Sequence, residues 1–225
     1  AGFIYRPIPV LRLGFAIHTP TYYDLDAYAN NNVSAKFTEL PVEDAKPTEK
    51  FEYGESAWTD YSYKLKTPWR LMASAATVLG QRAIISFDYE YVDYTTAKYS
   101  NDGAKNEYLE TNNAIKAIYK STHNFRAGAE YRFNSVFCLR GGYAYSASPY
   151  TKGEMNEKND IQTITGGLGL NFGVFYADLA YLHKNSKLNG LFYYYETSKG
   201  EVIESPEFQT KFKDNEFRLT LGIRF

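Results

Sequence analysis

The chain has 225 residues, of which 44% are hydrophobic, 17% aromatic and 23% charged, with a formal net charge of −1. That length suits one domain and can bury a core without disulfides or metals. The single cysteine, Cys138, excludes an internal disulfide, and the near-zero charge argues against nucleic acid as a partner. The mean hydropathy of −0.46 argues against membrane-spanning helices. Against this soluble-looking composition, 22 tyrosines and 15 phenylalanines stand out.

Apolar and polar residues alternate in segments along the chain, and this period of two predicts β-strands. In the last segment, Phe217, Leu219 and Leu221 fall on one face, whereas Arg218 and Thr220 fall on the other. We predict eight strands, at residues 10–18, 67–79, 83–95, 122–133, 136–147, 162–172, 175–184 and 216–225. Each has about the 9–11 residues that a tilted strand needs to cross a bilayer.

The connections alternate between short turns and long polar loops. The short turns lie at 80–82, 134–135 and 173–174, and the long loops at 19–66, 96–121, 148–161 and 185–214, with the best helical candidate at 112–120. Outer-membrane barrels have short periplasmic turns and long extracellular loops. We therefore predict an all-β fold, a transmembrane antiparallel up-and-down β-barrel, with both chain ends on the periplasmic side. A soluble barrel with an apolar interior is the alternative.

The charged residues of the strands share the face opposite the apolar residues, and small residues lie among the apolar ones. Lipid tails fill the space around small residues, whereas a packed core needs matched volumes. Aromatic residues of the apolar face gather near both strand ends, which is typical of interfacial girdles. The sequence thus predicts a lipid-facing apolar surface and a polar lumen. The lumen-lining candidates are Arg70, Asp88, Glu90, Arg126, Glu130, Arg140, Asp178 and Arg218.

Tight turns also predict which charged residues meet across neighbouring strands. A turn at 134–135 places Glu130 opposite Arg140, and the turn around 81 places Arg70 diagonal to Glu90, within reach of a long side chain. We predict both as ion pairs in the lumen. They either neutralise charge in a narrow interior or line a path for a solute.

No arrangement of residues predicts catalysis, a metal or a cofactor. Nucleophilic catalysis needs a nucleophile beside a base, and no serine is predicted beside His183. We interpret His123 and His183, which fall on the apolar face, as girdle residues. The acid-rich stretch at 39–46 lacks the glycine and spacing of a calcium loop. We interpret it as solvated, with a bound calcium ion as the alternative.

Several short segments together resemble the FadL/TodX family of outer-membrane transporters for hydrophobic compounds. The resemblance rests on Leu13-Gly-Phe-Ala-Ile-His-Thr-Pro20, Thr67-Pro-Trp-Arg70, Ile85-Ser-Phe-Asp-Tyr-Glu-Tyr91, Phe125-Arg-Ala-Gly-Ala-Glu-Tyr-Arg132, Leu139-Arg-Gly-Gly-Tyr143 and Pro149. It covers nearly all strand segments and none of the loops. The sequence looks most similar to versions from Bacteroides-like bacteria, which are rich in Tyr, Lys and Asn.

The resemblance implies a barrel of about 14 strands, blocked by an N-terminal hatch, in a Gram-negative outer membrane. Such a barrel takes up hydrophobic molecules such as long-chain fatty acids by binding and guided diffusion. The hatch and the family's Asn-Pro-Ala element are not found here, so we expect this chain to be the C-terminal eight-strand part. The expected partners are the lipid bilayer, a hydrophobic ligand, and the hatch and further strands of the same protein.

Aromatic loop residues provide candidates for first capture of the ligand, unless they only pack within the loops. These candidates are Phe192, Tyr193, Tyr194 and Tyr195, with Phe51 and Tyr53 as further possibilities. A hypothesis from a different class is a small filled outer-membrane barrel with a structural or lipid-modifying role, because eight strands enclose only enough room for side chains.

Overall fold

The computed structural model describes residues 1–39, 48–55, 57–101, 103, 107–197 and 199–224. Antiparallel strands dominate this part of the chain, and none of its helices is long and apolar enough to cross a membrane. The strands are β1 (Gly2–Ile8), β2 (Leu11–His18), β3 (Tyr22–Ala29), β4 (Asn32–Glu39), β5 (Thr48–Glu55), β6 (Thr59–Lys66), β7 (Arg70–Leu79), β8 (Ala83–Asp93), β9 (Lys98–Ser100), β10 (Ser121–Arg132), β11 (Phe137–Ser146), β12 (Ile161–Asn171), β13 (Phe175–Gly190), β14 (Tyr194–Glu196), β15 (Val202–Glu204) and β16 (Phe208–Ile223). The helix α1 (Leu109–Ile118) lies between β9 and β10.

The main sheet has nine strands in the order β1-β2-β7-β8-β10-β11-β12-β13-β16, and every neighbouring pair is antiparallel. The order follows the chain, so the sheet is an up-and-down meander. The strands that do not belong to the main sheet form three smaller sheets, β3-β6-β9, β4-β5 and β14-β15. Two segments expected to be loops, 19–66 and 185–214, therefore contain strand pairs of their own.

The strands continue beyond the predicted limits at the C-terminal hairpin. β13 and β16 have 16 residues each, and their ladder runs from the Phe175–Ile223 pair to the Gly190–Phe208 pair. The predicted strand at 175–184 is six residues too short, because Asn185–Gly190 carries little apolar alternation. Backbone hydrogen bonding continues there without a buried face.

The N-terminal strand β1 is a ninth strand that the predicted count of eight omits. Phe3, Ile4 and Tyr5 are apolar on both faces, so they show no alternation, and Pro7 lies where the register with β2 shifts. Because β1 runs antiparallel to β2, the amine of Ala1 donates to the carbonyl of Ile17, at 2.8 Å. The start of the described chain thus lies at the end of the sheet that carries the long loops, which corrects the predicted periplasmic position.

The predicted short turns are formed by residues suited to them. Gly173 has a φ of +83°, in the left-handed region that favours glycine, and its N–H donates to the Asn171 side chain. At the turn before β11, the side-chain oxygen of Asn134 accepts the N–H groups of Val136 and Phe137, at 2.9 and 2.8 Å. These local contacts fix the hairpin registers.

Very little of the described chain is a buried apolar core. Val92, 3% exposed, and Ile115, 8% exposed, are its only buried hydrophobic side chains. Both lie at the loop end, where Val92 pairs with the buried Thr122 and α1 carries Ile115. The strands themselves hold large apolar side chains at the surface. Burial of apolar side chains in a core therefore does not account for the stability of this sheet.

The loop end is held together by α1 and the segment before β12. Backbone hydrogen bonds join Lys120 to Pro149 and Thr151 to Ile118, both at 2.8 Å. The side chain of Asn112 bonds both backbone groups of Tyr99, which ties α1 to β9. The helix predicted at 112–120 begins three residues earlier, at Leu109.

Candidate functional site

The sheet presents one charged face, here called the polar face. Cross-strand pairing from β7 to β16 places all eight predicted lining residues on it. They are Arg70, Asp88, Glu90, Arg126, Glu130, Arg140, Asp178 and Arg218. Short turns join three of these six strand pairs, and within each strand the alternation alone was sufficient to assign the face.

Four charged residues form a continuous network on the polar face. Glu130 lies opposite Arg140 in the ladder, and its carboxylate accepts from Arg140 Nε at 2.8 Å and from Arg132 Nε at 2.7 Å. The same Arg140 donates through a terminal nitrogen to Asp178, at 2.5 Å. The predicted Glu130–Arg140 ion pair is therefore confirmed, and it extends to a second acid. These charge-assisted bonds hold the arginine in one orientation.

The contact between Arg140 and Asp178 spans a whole strand. Arg140 is on β11 and Asp178 on β13, and between them β12 presents Gly167 and Gly169. A Cβ on Gly169 would lie 2.9 Å from the Asp178 carboxylate and 3.4 Å from the Arg140 guanidinium. The glycines leave the room in which the guanidinium lies over β12. The sequence analysis missed this contact, although the two glycines fall on one face of a predicted strand.

The predicted Arg70–Glu90 ion pair is not formed among the described residues. Arg70 lies opposite Val92, and the Glu90 carboxylate instead accepts from the Asn124 amide at 3.0 Å. Asn124 lies directly opposite Glu90 on β10, so it is closer than a diagonal arginine. The predicted register was correct, since Arg70 is diagonal to Glu90. The ion pair was wrong because Asn124, on the neighbouring strand at the other side of β8, takes the carboxylate.

The remaining lining residues lie in separate pairs. Arg126 is directly opposite Asp88 in the β8–β10 ladder. Arg218 bonds the carboxylate of Glu216, two residues away on the same face of β16. The polar face is therefore charged along its width, with the network around Arg140 as its most connected part.

A cavity of about 280 Å³ lies at the turn end of the polar face. Its charged lining comes from Arg132, Arg140 and Arg224, with Asp178 as the acid. The Arg224 guanidinium lies 5.3 Å from the centre of the Tyr176 ring, an arrangement typical of a cation–π contact. The cavity can hold water or a small polar group at the end of the arginine network.

The opposite face, here called the apolar face, carries large hydrophobic side chains at the surface. One row crosses four strands through Leu139, Leu168, Leu179 and Leu219, which are 45%, 40%, 46% and 68% exposed. A soluble protein rarely exposes apolar surface of such extent. A soluble barrel with an apolar interior, the alternative considered from the sequence, would bury these leucines, so their exposure does not fit it.

Aromatic residues border this face toward the loop end, together with His123 and His183. Tyr89 bonds His123 between Oη and Nδ1 at 2.7 Å, and the rings of Tyr181 and Phe217 are 4.9 Å apart. His183 contacts the side-chain oxygen of Asn215 at 2.7 Å. Rings with a polar edge suit the boundary between lipid and water. Both histidines therefore lie among girdle-type residues.

The loop capture candidates are exposed at the far end of the β13–β16 hairpin. Phe192 is 78% exposed, and its ring centre is 4.6 Å from that of Phe208. Tyr193, Tyr194 and Tyr195 are also exposed. The structure brings these rings together on one hairpin tip. The side chains of Phe51 and Tyr53 lie outside the part of the chain that is described.

Two tyrosines join the segment that follows α1 to the segment that follows β11. The rings of Tyr119 and Tyr150 are 5.1 Å apart, and their backbones form an isolated bridge. Burial and the hydrogen bond to Tyr150 raise the pKa of Tyr119 above its ordinary value. The Tyr119 side chain therefore stays uncharged at neutral pH. Within the described residues, no group of acids, histidines and cysteine could hold a metal ion, and residues 40–46 of the acid-rich stretch lie outside them.

No protein-family model and no curated protein sequence matches the chain. Solved structures do match. A FadL homologue of Pseudomonas aeruginosa is 13% identical over 99% of this chain and 51% of its own, with a TM-score of 0.63. The toluene transporter TodX of Pseudomonas putida is 13% identical over 100% of this chain and 48% of its own, with a TM-score of 0.50.

The chain has the FadL-type outer-membrane transporter fold. It spans about half the length of the solved structures it matches. The resemblance noted in short strand motifs is thus confirmed at the level of the fold. The second of these structures is named as a toluene transporter.

Proposed function

We propose that this chain forms part of a β-barrel in a Gram-negative outer membrane that takes up hydrophobic small molecules, such as long-chain fatty acids. Uptake proceeds by binding and guided diffusion without a chemical step. The single observation that carries the proposal is the match of 99% of the chain to a FadL homologue. The name of the second structure, a toluene transporter, supports hydrophobic compounds as the ligand class.

The exposed apolar face supports the membrane location. Its leucine row and aromatic borders match what a lipid-facing strand surface needs, and the charged polar face then lines the lumen. On this proposal, the two acids and two arginines of the network neutralise one another inside the barrel; they are Glu130, Asp178, Arg132 and Arg140. Their network keeps net charge low where an uncharged or weakly charged ligand passes.

The outer edges of the main sheet support further strands as partners. Among the described residues, β1 pairs only with β2 and β16 only with β13. Leu219 on β16 is 68% exposed, whereas Leu179, directly opposite on β13, is 46% exposed. We propose that the remaining strands and a hatch of the same protein complete the barrel at these edges. Unpaired edges weigh against a closed, filled small barrel.

We further propose that the hairpin-tip aromatics capture the ligand before it enters. Phe192 and its neighbours present exposed apolar area at the loop end, where a molecule arriving from outside meets the protein first. Tyr28, which is 72% exposed on β3, offers an exposed aromatic ring at a different place.

The test measures binding of oleate and of toluene by the full natural protein in detergent, using titration calorimetry. We expect binding of at least one, and a several-fold weaker affinity for the double variant Phe192→Ser, Tyr194→Ser. The Tyr28→Ser variant should bind normally. Absence of binding for both compounds would contradict the transport proposal, whereas equal affinity in every variant would contradict only the capture site.

A further inference from the structure

The outward side of the long β13–β16 hairpin carries a group of lysines that the proposed transport does not use. Lys187 lies directly opposite Lys211, and Lys213 lies opposite Asn185. All three lysines are exposed and belong to the apolar-face side of the ladder. We call Lys187, Lys211 and Lys213 the lysine cluster.

The cluster begins directly above the aromatic border. Tyr181 and Asn215 mark that border, where the tyrosine hydroxyl donates to the amide oxygen at 2.8 Å. Lys213 is two residues and Lys211 four residues beyond Asn215, which is roughly 7–13 Å along a strand. If the border lies at the edge of the hydrocarbon, these ammonium groups lie within the headgroup layer.

No ion pair between described residues includes Lys187, Lys211 or Lys213. Like charges directly opposite each other destabilise a sheet. Asp160 lines the same cavity, where it accepts the N–H of Ser148 at 2.8 Å and a hydrogen bond from Tyr145. Since the lysines of this cavity outnumber its acid, the excess positive charge favours an external anion.

The surroundings of the cluster supply space and further hydrogen-bonding groups. A shallow cavity of about 320 Å³ lies between β12, β13 and β16. Besides the cluster, its lining includes Lys158, Asp160, Gln162 and Asn185. Farther from the aromatic border, a neighbouring cavity beside Lys187 adds the carboxylates of Glu154, Glu157 and Glu207. The positive charge is therefore strongest on the side nearest the membrane.

We propose that the lysine cluster binds the phosphorylated headgroup of a glycolipid in the outer leaflet. The ammonium groups hold the phosphate as point charges, Gln162 and Asn185 are placed to bond sugar hydroxyls, and the acyl chains lie along the apolar face below. This inference rests on the proposed outer-membrane location. It is independent of which hydrophobic molecule is transported.

The experiment uses the full natural protein in detergent and native mass spectrometry with diphosphorylated lipid A as the probe. The triple variant Lys187→Gln, Lys211→Gln, Lys213→Gln should bind at least tenfold more weakly than the natural protein. The matched control, Lys184→Gln, Lys116→Gln, Lys199→Gln, removes the same charge from other places, including the opposite side of β13, and should bind normally.

Each contrary result has a definite meaning. Equal loss in both triple variants shows a general charge effect and overturns the site. Unchanged binding of fully dephosphorylated lipid A overturns the role of phosphate, and displacement by equimolar inorganic phosphate overturns the lipid as the specific occupant.

Two further readouts separate this proposal from folding and from transport. In lipid-free detergent the cluster variant should unfold at the same or a higher temperature, because its substitutions remove repulsion. Earlier unfolding would assign the lysines to the fold and overturn the proposal. Binding of oleate and toluene, measured on the same proteins, should be the same in the cluster variant as in the natural protein. If none of these proteins binds oleate or toluene, the transport proposal fails but the proposed lipid site does not.

Discussion

The polar face and the apolar face of the main sheet differ in the contacts that their side chains make. On the polar face, side chains satisfy one another, as Glu130, Arg140 and Asp178 do through direct bonds. On the apolar face, the leucine row and aromatic rings lie at the surface with little covering them. One backbone thus serves two environments, and the period-two alternation decides which side chain meets which. Side-chain contacts stabilise one face, and in the proposed membrane location lipid covers the other.

The largest expected effect comes from placing an arginine on each face in turn, at two adjacent residues of one strand. Phe87 is on the apolar face of β8 and Ser86 is on the polar face, beside Ala76 and Gly128. In lipid vesicles, Phe87→Arg should lower the free energy of unfolding by about 2–4 kcal/mol, because a charge then faces hydrocarbon. Ser86→Arg should cost under about 1 kcal/mol, since it joins a charged face. Urea unfolding of the full natural protein measures both, and equal costs would refute the assignment of the faces.

A second substitution tests how tightly the polar face is packed. Gly169→Ala adds a methyl group 2.5 Å from the Cys138 sulfur and 2.9 Å from the Asp178 carboxylate, so we expect a loss of about 1–3 kcal/mol. Gly166→Ala is the control on the other face of the same strand, where a new Cβ meets nothing within 4 Å. It should change stability by less than about 0.5 kcal/mol. If both variants unfold alike, the glycine gap has no role in holding the network.

The smallest expected effect concerns the long contact across β12. A double-mutant cycle of Arg140→Gln and Asp178→Asn should give a coupling of about 1 kcal/mol, because both side chains are partly exposed and solvent screens them. The coupling should fall as salt rises. An additive cycle would mean that the bond at 2.5 Å contributes nothing measurable to stability.

Tight turns explain why much of the sheet could be predicted from the sequence. Where a short turn joins two strands, alternation and turn length together fix the register, and Glu130 was correctly placed opposite Arg140. Where a long connection intervenes, as before β10, the register is open, so the sequence did not show that Asn124 lies opposite Glu90. The Arg70–Glu90 prediction had the correct register and failed because Asn124 takes the Glu90 carboxylate.

The missed elements share a different physical cause. β1 and the distal part of β13 lack a clear alternation, because β1 is apolar on both faces and the distal part of β13 is mostly polar on both. Hydrogen bonding to a neighbouring strand holds them, and such pairing leaves no mark in the side-chain pattern. The sequence also did not predict that Phe192 lies on a hairpin tip, because the 185–214 segment was expected to be a loop.

The glycines beneath Arg140 also bear on how wide a passage the protein can offer. An arginine that stands upright projects its full length from the wall, whereas one that lies flat over Gly167 and Gly169 adds little more than the thickness of its planar group. In the proposed barrel, the absent side chains of β12 therefore preserve cross-section at the point where the wall carries its densest charge. Filling that gap would narrow the bore even if every ion pair survived.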